Sequence, residues 1–146
     1  WLAFGLLLTF GCSAMAQSAK EKGATFLKEN AKKEGVKQFP SGLQVKIIRP
    51  GNGTKPKSSD EVEVHYRGTT IDGKEFDSSY KRKESISFRL TQVIRGWTEG
   101  MQLIGEGGKA ELYIPSDLAY GTRGAPPAIG PDETLVFEVE LIKVKR

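Results

Sequence analysis

The spacing of apolar residues changes along this chain from sparse and helix-like to alternating. Residues 17–37 are rich in Ala, Lys and Glu, and Glu29 and Lys33 form a helix-favouring pair. This stretch predicts a short N-terminal helix that ends at Gly35, or at the latest before Pro40. The pattern fits a helix docked on the following domain and a frayed linker equally well.

From Gly42 onward, apolar residues recur at every second position, which predicts β-strands. In the segment 61–70, Val62, Val64 and Tyr66 face one way and the residues between them face the other. The Asp72-Gly73 pair predicts a tight turn, after which the chain folds back as a hairpin through residues 74–76. Further strands are expected at residues 44–49, 86–90, 109–114 and 134–144.

One segment breaks the alternation. Ile94, Trp97 and Met101 recur at helical spacing, which predicts a short helix packed on the sheet. Residues 115–133 then form a long loop with four prolines, and a loop of that length in a compact domain is usually functional. The pattern therefore predicts an α+β fold, in which a curled antiparallel sheet of about five strands wraps around one short α-helix, with a short N-terminal helix before it.

The composition is that of a globular domain with a short extension, 146 residues in all. The net charge of +4 comes from basic residues interleaved with acidic ones, which argues against a nucleic-acid partner. With Cys12 as the single cysteine and His65 as the single histidine, neither a metal nor a cofactor is expected. His65 is interpreted as structural, so an enzyme built from these residues would use no covalent intermediate.

The first residues carry an apolar run. Residues 1–11 are too few to span a bilayer, but they match the apolar region of a secretory signal. Ala14-Met15-Ala16 supplies the small residues that signal peptidase requires, which predicts cleavage before Gln17. The absence of an initiator Met and of a basic first segment indicates that the sequence begins inside this signal.

These features predict three segments: a signal peptide at residues 1–16, a helical lead-in at 17–40 and a domain at 41–146. The protein is then periplasmic or secreted, with no membrane span. Lipid anchoring through Cys12 is the alternative, although the residues before it lack the aliphatic side chain expected three places ahead.

Aromatic and large apolar residues stand out at strand ends, in the short helix and in the long loop. They are Tyr66, Phe76, Phe88, Val93, Ile94, Trp97, Tyr120, Ile129 and Phe137, with one acid, Asp77, directly after Phe76. Taken as a pattern alone, the set fits an ordinary core better than a site, because most aromatic residues of a small β domain are core residues.

At these residues the chain resembles a known family. Val64-His65-Tyr66-x-Gly68, followed by Asp72-Gly73-Lys74-x-Phe76-Asp77-Ser78-Ser79, is similar to the signature of FKBP-type peptidyl-prolyl cis-trans isomerases. Matching segments follow in the family's order at residues 93–100, 119–121 and 134–141, so the likeness covers about 42–144.

The lead-in, from Asn30 to Gln44, is similar to the bacterial branch that includes macrophage infectivity potentiators. Those proteins carry a long helical dimerisation arm. This chain has only a short segment before the domain, so a monomer is expected.

The resemblance implies that the domain binds the proline ring of a polypeptide in an apolar pocket and accelerates X-Pro isomerisation. Trp97 corresponds to the pocket floor, Tyr120 to a hydroxyl donor and Ile94 to a backbone donor. Asp77 lies beside the pocket, tied to nearby hydroxyls and to Arg82, and Ile129 lies in the loop that closes over the ligand.

The implied catalytic residues are Asp77, Tyr120, Trp97 and Phe76. The implied substrate-binding residues are Tyr66, Arg82, Ile86, Phe88, Val93, Ile94, Ile129 and Phe137. Ile86 stands where an aromatic residue is common in the family, which thins one wall. The implied partners are proline-containing exported polypeptides, together with macrolide inhibitors.

Two other functions fit the same residues. One is a binding module that holds proline-containing peptides with negligible catalysis. The other is a β-sheet interaction domain, and this reading requires the aromatic set to pack into a closed core without a cavity.

Overall fold

The structure is a computed structural model that describes residues 18–125 and 129–145. The predicted signal peptide and Cys12 lie outside the described residues. The chain enters through helix α1 (Ala19–Asn30), where the side chain of Ser18 caps the first turn by accepting a hydrogen bond from the backbone of Glu21.

The described residues form one antiparallel sheet of seven strands. The strands are β1 (Val36–Gln38), β2 (Gln44–Arg49), β3 (Glu61–Thr70), β4 (Glu75–Ser78), β5 (Ile86–Arg89), β6 (Lys109–Ile114) and β7 (Leu135–Lys145). Their order is β1-β2-β6-β7-β3-β4, and β5 also pairs with β3. The predicted fold class is confirmed, with more strands than the five or so expected.

The extra strand β1 lies in the segment predicted as lead-in. It is only three residues long and pairs with β2 from Val36 to Gln38, so it leaves no alternating pattern in the sequence. The predicted hairpin is present: the backbone N–H of Gly73 donates to Thr70 in the turn between β3 and β4. Gly73 has a φ of 86°, a conformation that favours glycine.

Two short helices complete the domain and frame its interior. Helix α2 (Ser79–Arg82) follows β4 directly, and helix α3 (Arg95–Gly100) continues into a 3-10 turn at Met101–Leu103. Helix α3 is the short helix predicted from the sequence. The core beneath it is built from the inward residues of β2, β3, β6 and β7, among them Val45, Val64, Leu112, Val139 and Leu141.

The two glycines of α3 set how closely the helix lies on the sheet. A Cβ atom added to Gly96 would lie 2.5 Å from the Ile114 side chain, and one added to Gly100 would lie 2.8 Å from Leu112. The glycines weaken the helix as an isolated element, but they bring its backbone directly onto β6. Across residues 18–125 and 129–145, no helix has the length and apolar composition needed to cross a membrane.

Helix α1 is docked rather than frayed. Asn30 and Gln44 are each 1% exposed, and the Asn30 amide donates to the Gln44 side-chain oxygen at 2.8 Å. The Gln44 amide in turn donates to the Leu27 carbonyl, also at 2.8 Å. Phe26 contacts Tyr113 of β6, with ring centroids 6.2 Å apart. The helix ends at Asn30, before the predicted end at Gly35.

Replacing Asn30 with Ala is expected to destabilise the protein by about 1–3 kcal/mol, because the buried oxygen of Gln44 loses its donor. Urea unfolding of both proteins gives the difference. Glu29→Ala, an exposed change one residue earlier, is the control and is expected to unfold close to the wild-type midpoint. An unchanged midpoint for Asn30→Ala would contradict the stabilising role of the Asn30–Gln44 pair.

Candidate active site

A cavity of about 660 Å³ opens beside α3, between the helix and strands β3, β4, β5 and β7. Among the described residues it is lined by Tyr66, Phe76, Asp77, Arg82, Ile86, Phe88, Gln92, Val93, Ile94, Trp97, Tyr120 and Phe137. The structure therefore brings together every residue predicted for the site except Ile129. The closed-core alternative does not fit a domain with this opening.

Trp97 lies at the centre of an aromatic cluster. Its side chain is 4% exposed, and its ring meets those of Tyr66, Phe88 and Phe137 nearly at right angles, with centroids 5.3, 5.5 and 5.4 Å away. Phe76 meets Phe137 in the same way at 5.5 Å. Edge-to-face contacts of this kind are favourable, and they set the orientation of the rings that line the cavity.

Strand β3 leaves room for two of these rings at Gly68. A Cβ atom there would lie 2.6 Å from Phe76 and 2.8 Å from Phe137. The glycine of the Val64–Gly68 motif is therefore a packing requirement of the cavity wall.

The polar edge of the cavity is a closed network of three side chains. The Tyr66 hydroxyl donates to Asp77, and Arg82 pairs with Asp77 at 2.6 Å. A second Arg82 nitrogen donates to the Tyr66 hydroxyl at 3.3 Å. The predicted tie between Asp77 and Arg82 is present because the single turn of α2 carries Arg82 back toward the end of β4.

The network fixes the protonation states of its members. Burial alone would raise the pKa of Asp77, but hydrogen bonds from Tyr66 and Arg82 and the guanidinium charge outweigh it and lower that pKa. Burial raises the pKa of Tyr66, and its hydrogen bond to Asp77 adds to the increase. At neutral pH, Asp77 is thus a carboxylate and Tyr66 a neutral phenol, and each is already engaged.

Some hydrogen-bond donors at the cavity are not engaged by the described residues. The backbone N–H of Ile94 and the hydroxyl of Tyr120 have no acceptor among the described residues, and Tyr120 is 40% exposed. Ile94 lies just before the first turn of α3, where its extended backbone leaves the N–H outside the helix.

The indole nitrogen of Trp97 is a further donor without an acceptor. It is buried and has no hydrogen-bond partner in the described part of the chain. A buried donor without a partner costs stability, and an aliphatic residue at the same place would avoid that cost.

Ile129 is not among the described residues that line the cavity. It is 4% exposed, belongs to the hydrophobic core and pairs with Ala125 through two backbone hydrogen bonds of 2.9 and 3.1 Å. That bridge turns its side chain inward. The structure adds Gln92 in its stead, an exposed polar residue whose only signal in the sequence is its position next to Val93.

His65 lies outside the cavity, as its interpretation as a structural residue requires. Its ring stacks on Tyr80 with centroids 5.0 Å apart, and Nδ1 lies 2.9 Å from the Ser79 hydroxyl.

Taken together, the fold and the cavity define a small α+β domain with an aromatic-lined cavity next to a tryptophan ring. The family model for the FKBP-type peptidyl-prolyl cis-trans isomerase matches residues 52–142. A second model, for the domain amino terminal to FKBP-type peptidyl-prolyl isomerase, matches residues 11–47. The chain belongs to the FKBP-type peptidyl-prolyl cis-trans isomerase family.

Curated relatives and a solved structure agree with this assignment. The chain is 55% identical over 131 residues to the probable FKBP-type peptidyl-prolyl cis-trans isomerase FkpA of Neisseria meningitidis serogroup B, covering 90% of this chain and 48% of the relative. It is 50% identical over 131 residues to the outer membrane protein MIP of Legionella longbeachae, covering 90% and 56%. The crystal structure of FkpA from Escherichia coli superposes with a TM-score of 0.85 and 47% identity, covering 99% of this chain and 69% of that one. The chain spans about half the length of the curated relatives it matches.

The lowered pKa of Asp77 predicts how the stability of the protein changes with pH. Because its pKa is lower in the folded state than in the unfolded state, the carboxylate contributes stability above about pH 4, and this is lost as the pH falls through the folded value. Asp77→Asn is therefore expected to be less stable than wild type at pH 6, with a difference that shrinks toward pH 3. Urea unfolding at both pH values measures it.

The matched control is Asp117→Asn, a change at an exposed carboxylate outside the network. A difference between wild type and Asp77→Asn that stays constant from pH 6 to pH 3 would contradict the network as described.

Proposed function

We propose that this domain catalyses cis-trans isomerisation of X-Pro bonds in polypeptides by holding the proline ring against Trp97. The observation that carries the proposal is the aromatic-lined cavity itself, to which the buried Trp97 contributes its ring. Membership in the isomerase family supports the same activity.

The chemistry of the X-Pro bond suits such a cavity. The rotation barrier of about 18–20 kcal/mol arises from amide resonance, and uncatalysed exchange takes roughly tens to hundreds of seconds. Resonance makes the planar amide more dipolar than the twisted one, so an apolar surrounding disfavours the planar form more. Lowering the barrier by about 6 kcal/mol would accelerate the exchange roughly 10⁴-fold.

The free donors supply the polar part of this mechanism. The Ile94 N–H and the Tyr120 hydroxyl flank the cavity and can each donate to a substrate carbonyl. Donors of this kind favour the twisted geometry when they reach the carbonyl best in that state. Asp77 is occupied by Tyr66 and Arg82, so it orients the wall and shapes the field, and no proton transfer is required.

The substrates we propose are proline-containing segments of exported polypeptides. The apolar segment at residues 1–11 and the Ala14-Met15-Ala16 site motivate export, and one relative is named as an outer membrane protein. Mass spectrometry of protein recovered from a periplasmic extract tests this. A chain that starts at Gln17 supports cleavage, whereas a lipid-modified Cys12 supports the anchored alternative.

The test of catalysis is a protease-coupled isomerisation assay on short X-Pro peptides, with and without an FKBP-type macrolide. Wild-type protein is expected to accelerate exchange, and the macrolide is expected to abolish the acceleration. Trp97→Leu removes the flat floor and is expected to lower kcat/KM at least about tenfold, which corresponds to about 1.4 kcal/mol. Tyr120→Phe removes one hydrogen bond and is expected to lower kcat/KM by roughly two- to tenfold.

Tyr80→Phe is the matched control. Its hydroxyl bonds to Glu140 at 3.3 Å and its ring stacks on His65, away from the cavity, so wild-type rates are expected. Wild-type rates in both Trp97→Leu and Tyr120→Phe would remove the site assignment. Peptide binding without any acceleration would favour the binding module over the isomerase.

A further inference from the structure

Helix α1 touches the domain at a point where almost no space is left. Gly23, buried in the middle of the helix, faces Thr134, the residue just before β7. A Cβ atom added to Gly23 would lie 2.3 Å from the Thr134 hydroxyl oxygen and 3.2 Å from its Cβ. A glycine in a helix interior is unfavourable compared with alanine, so this position is one where close approach outweighs helix propensity.

Thr134 is the last residue of the loop that carries Tyr120. Close to it, Asp132 adopts a φ of 58°, unusual for a residue with a side chain, and its N–H donates to the Gly121 carbonyl at 2.9 Å. Gly121 follows Tyr120 directly. A continuous path of contacts therefore leads from α1 through Thr134 and the loop end to the tyrosine at the cavity.

The helix cannot easily give way at this contact. Its C-terminal end is held by the buried pair of Asn30 and Gln44, and Phe26 contacts Tyr113. A larger side chain at Gly23 is consequently expected to displace the end of the loop at Thr134.

We propose that Gly23 and Thr134 are positioning residues: their contact seats the end of the loop so that the Tyr120 hydroxyl lies over the cavity. Helix α1 is then part of the apparatus that shapes the substrate site, although it lies outside the cavity. The activity readout of this proposal rests on the isomerase function proposed above and on the role of Tyr120 in it.

The first test is Gly23→Ala in the isomerisation assay. Helix propensity alone would favour alanine, but the clash with Thr134 is expected to lower kcat/KM by roughly two- to tenfold, the range given for Tyr120→Phe. Because the effect acts through Tyr120, adding Gly23→Ala to Tyr120→Phe is expected to cause little further loss. Thr134→Ala removes the closest clashing atom, so Gly23→Ala combined with Thr134→Ala is expected to recover most of the wild-type rate.

The control is Ala24→Gly, which weakens the same helix at an exposed neighbouring position and leaves the contact intact. It is expected to keep wild-type rates. Wild-type kcat/KM in Gly23→Ala would overturn the proposal. Equal losses in Gly23→Ala and Ala24→Gly, with no recovery from Thr134→Ala, would also overturn it, because the cause would then be fraying of the helix.

A second measurement does not depend on catalysis. Amide hydrogen exchange in residues 119–125 is expected to be faster in Gly23→Ala and to return toward wild type when Thr134→Ala is added. Unchanged exchange in Gly23→Ala would overturn the positioning role. If the wild-type protein showed no isomerase activity, the proposed function would fail, whereas faster exchange that Thr134→Ala reverses would still support the positioning contact.

Discussion

The close approach of α3 to β6 is the contact on which the site depends. The helix is six residues long and has no side-chain cap at its start, so it is too short to persist without tertiary packing. Gly96 and Gly100 let it lie directly on Ile114 and Leu112. Trp97 lies between these two glycines, so the depth at which the helix packs fixes where the Trp97 ring lies in the cavity.

The walls of the cavity are formed by the aromatic rings that pack around Trp97. Tyr66 comes from β3, and Phe88 and Phe137 come from β5 and β7, which both pair with β3; each ring meets Trp97 edge to face. Strand β4 and helix α2 bring Asp77 and Arg82 to Tyr66, and the three side chains satisfy one another in a closed network. The Ile94 N–H and the Tyr120 hydroxyl are among the donors left for a ligand.

The sequence predicts those parts of the fold and of the site that depend on half-buried strands and on family motifs. Strands β3 and β7 are long and alternate cleanly, because one face of each covers the core. The N-terminal helix could be located but its docking could not, because the buried amides of Asn30 and Gln44 look like surface residues in a sequence. The burial of Ile129 could not be predicted either, because no local sequence pattern indicates its bridge to Ala125.

Several residues around the cavity break a local rule of stability. Gly96 and Gly100 weaken a short helix, the Trp97 indole nitrogen is buried without a partner, and Tyr120 is an exposed aromatic side chain. Packing on β6 accounts for the two glycines, whereas packing among the described residues does not account for the unpartnered indole nitrogen or for the exposed Tyr120. Gly23 is a further departure, outside the cavity, because it forgoes helix propensity for its close contact with Thr134.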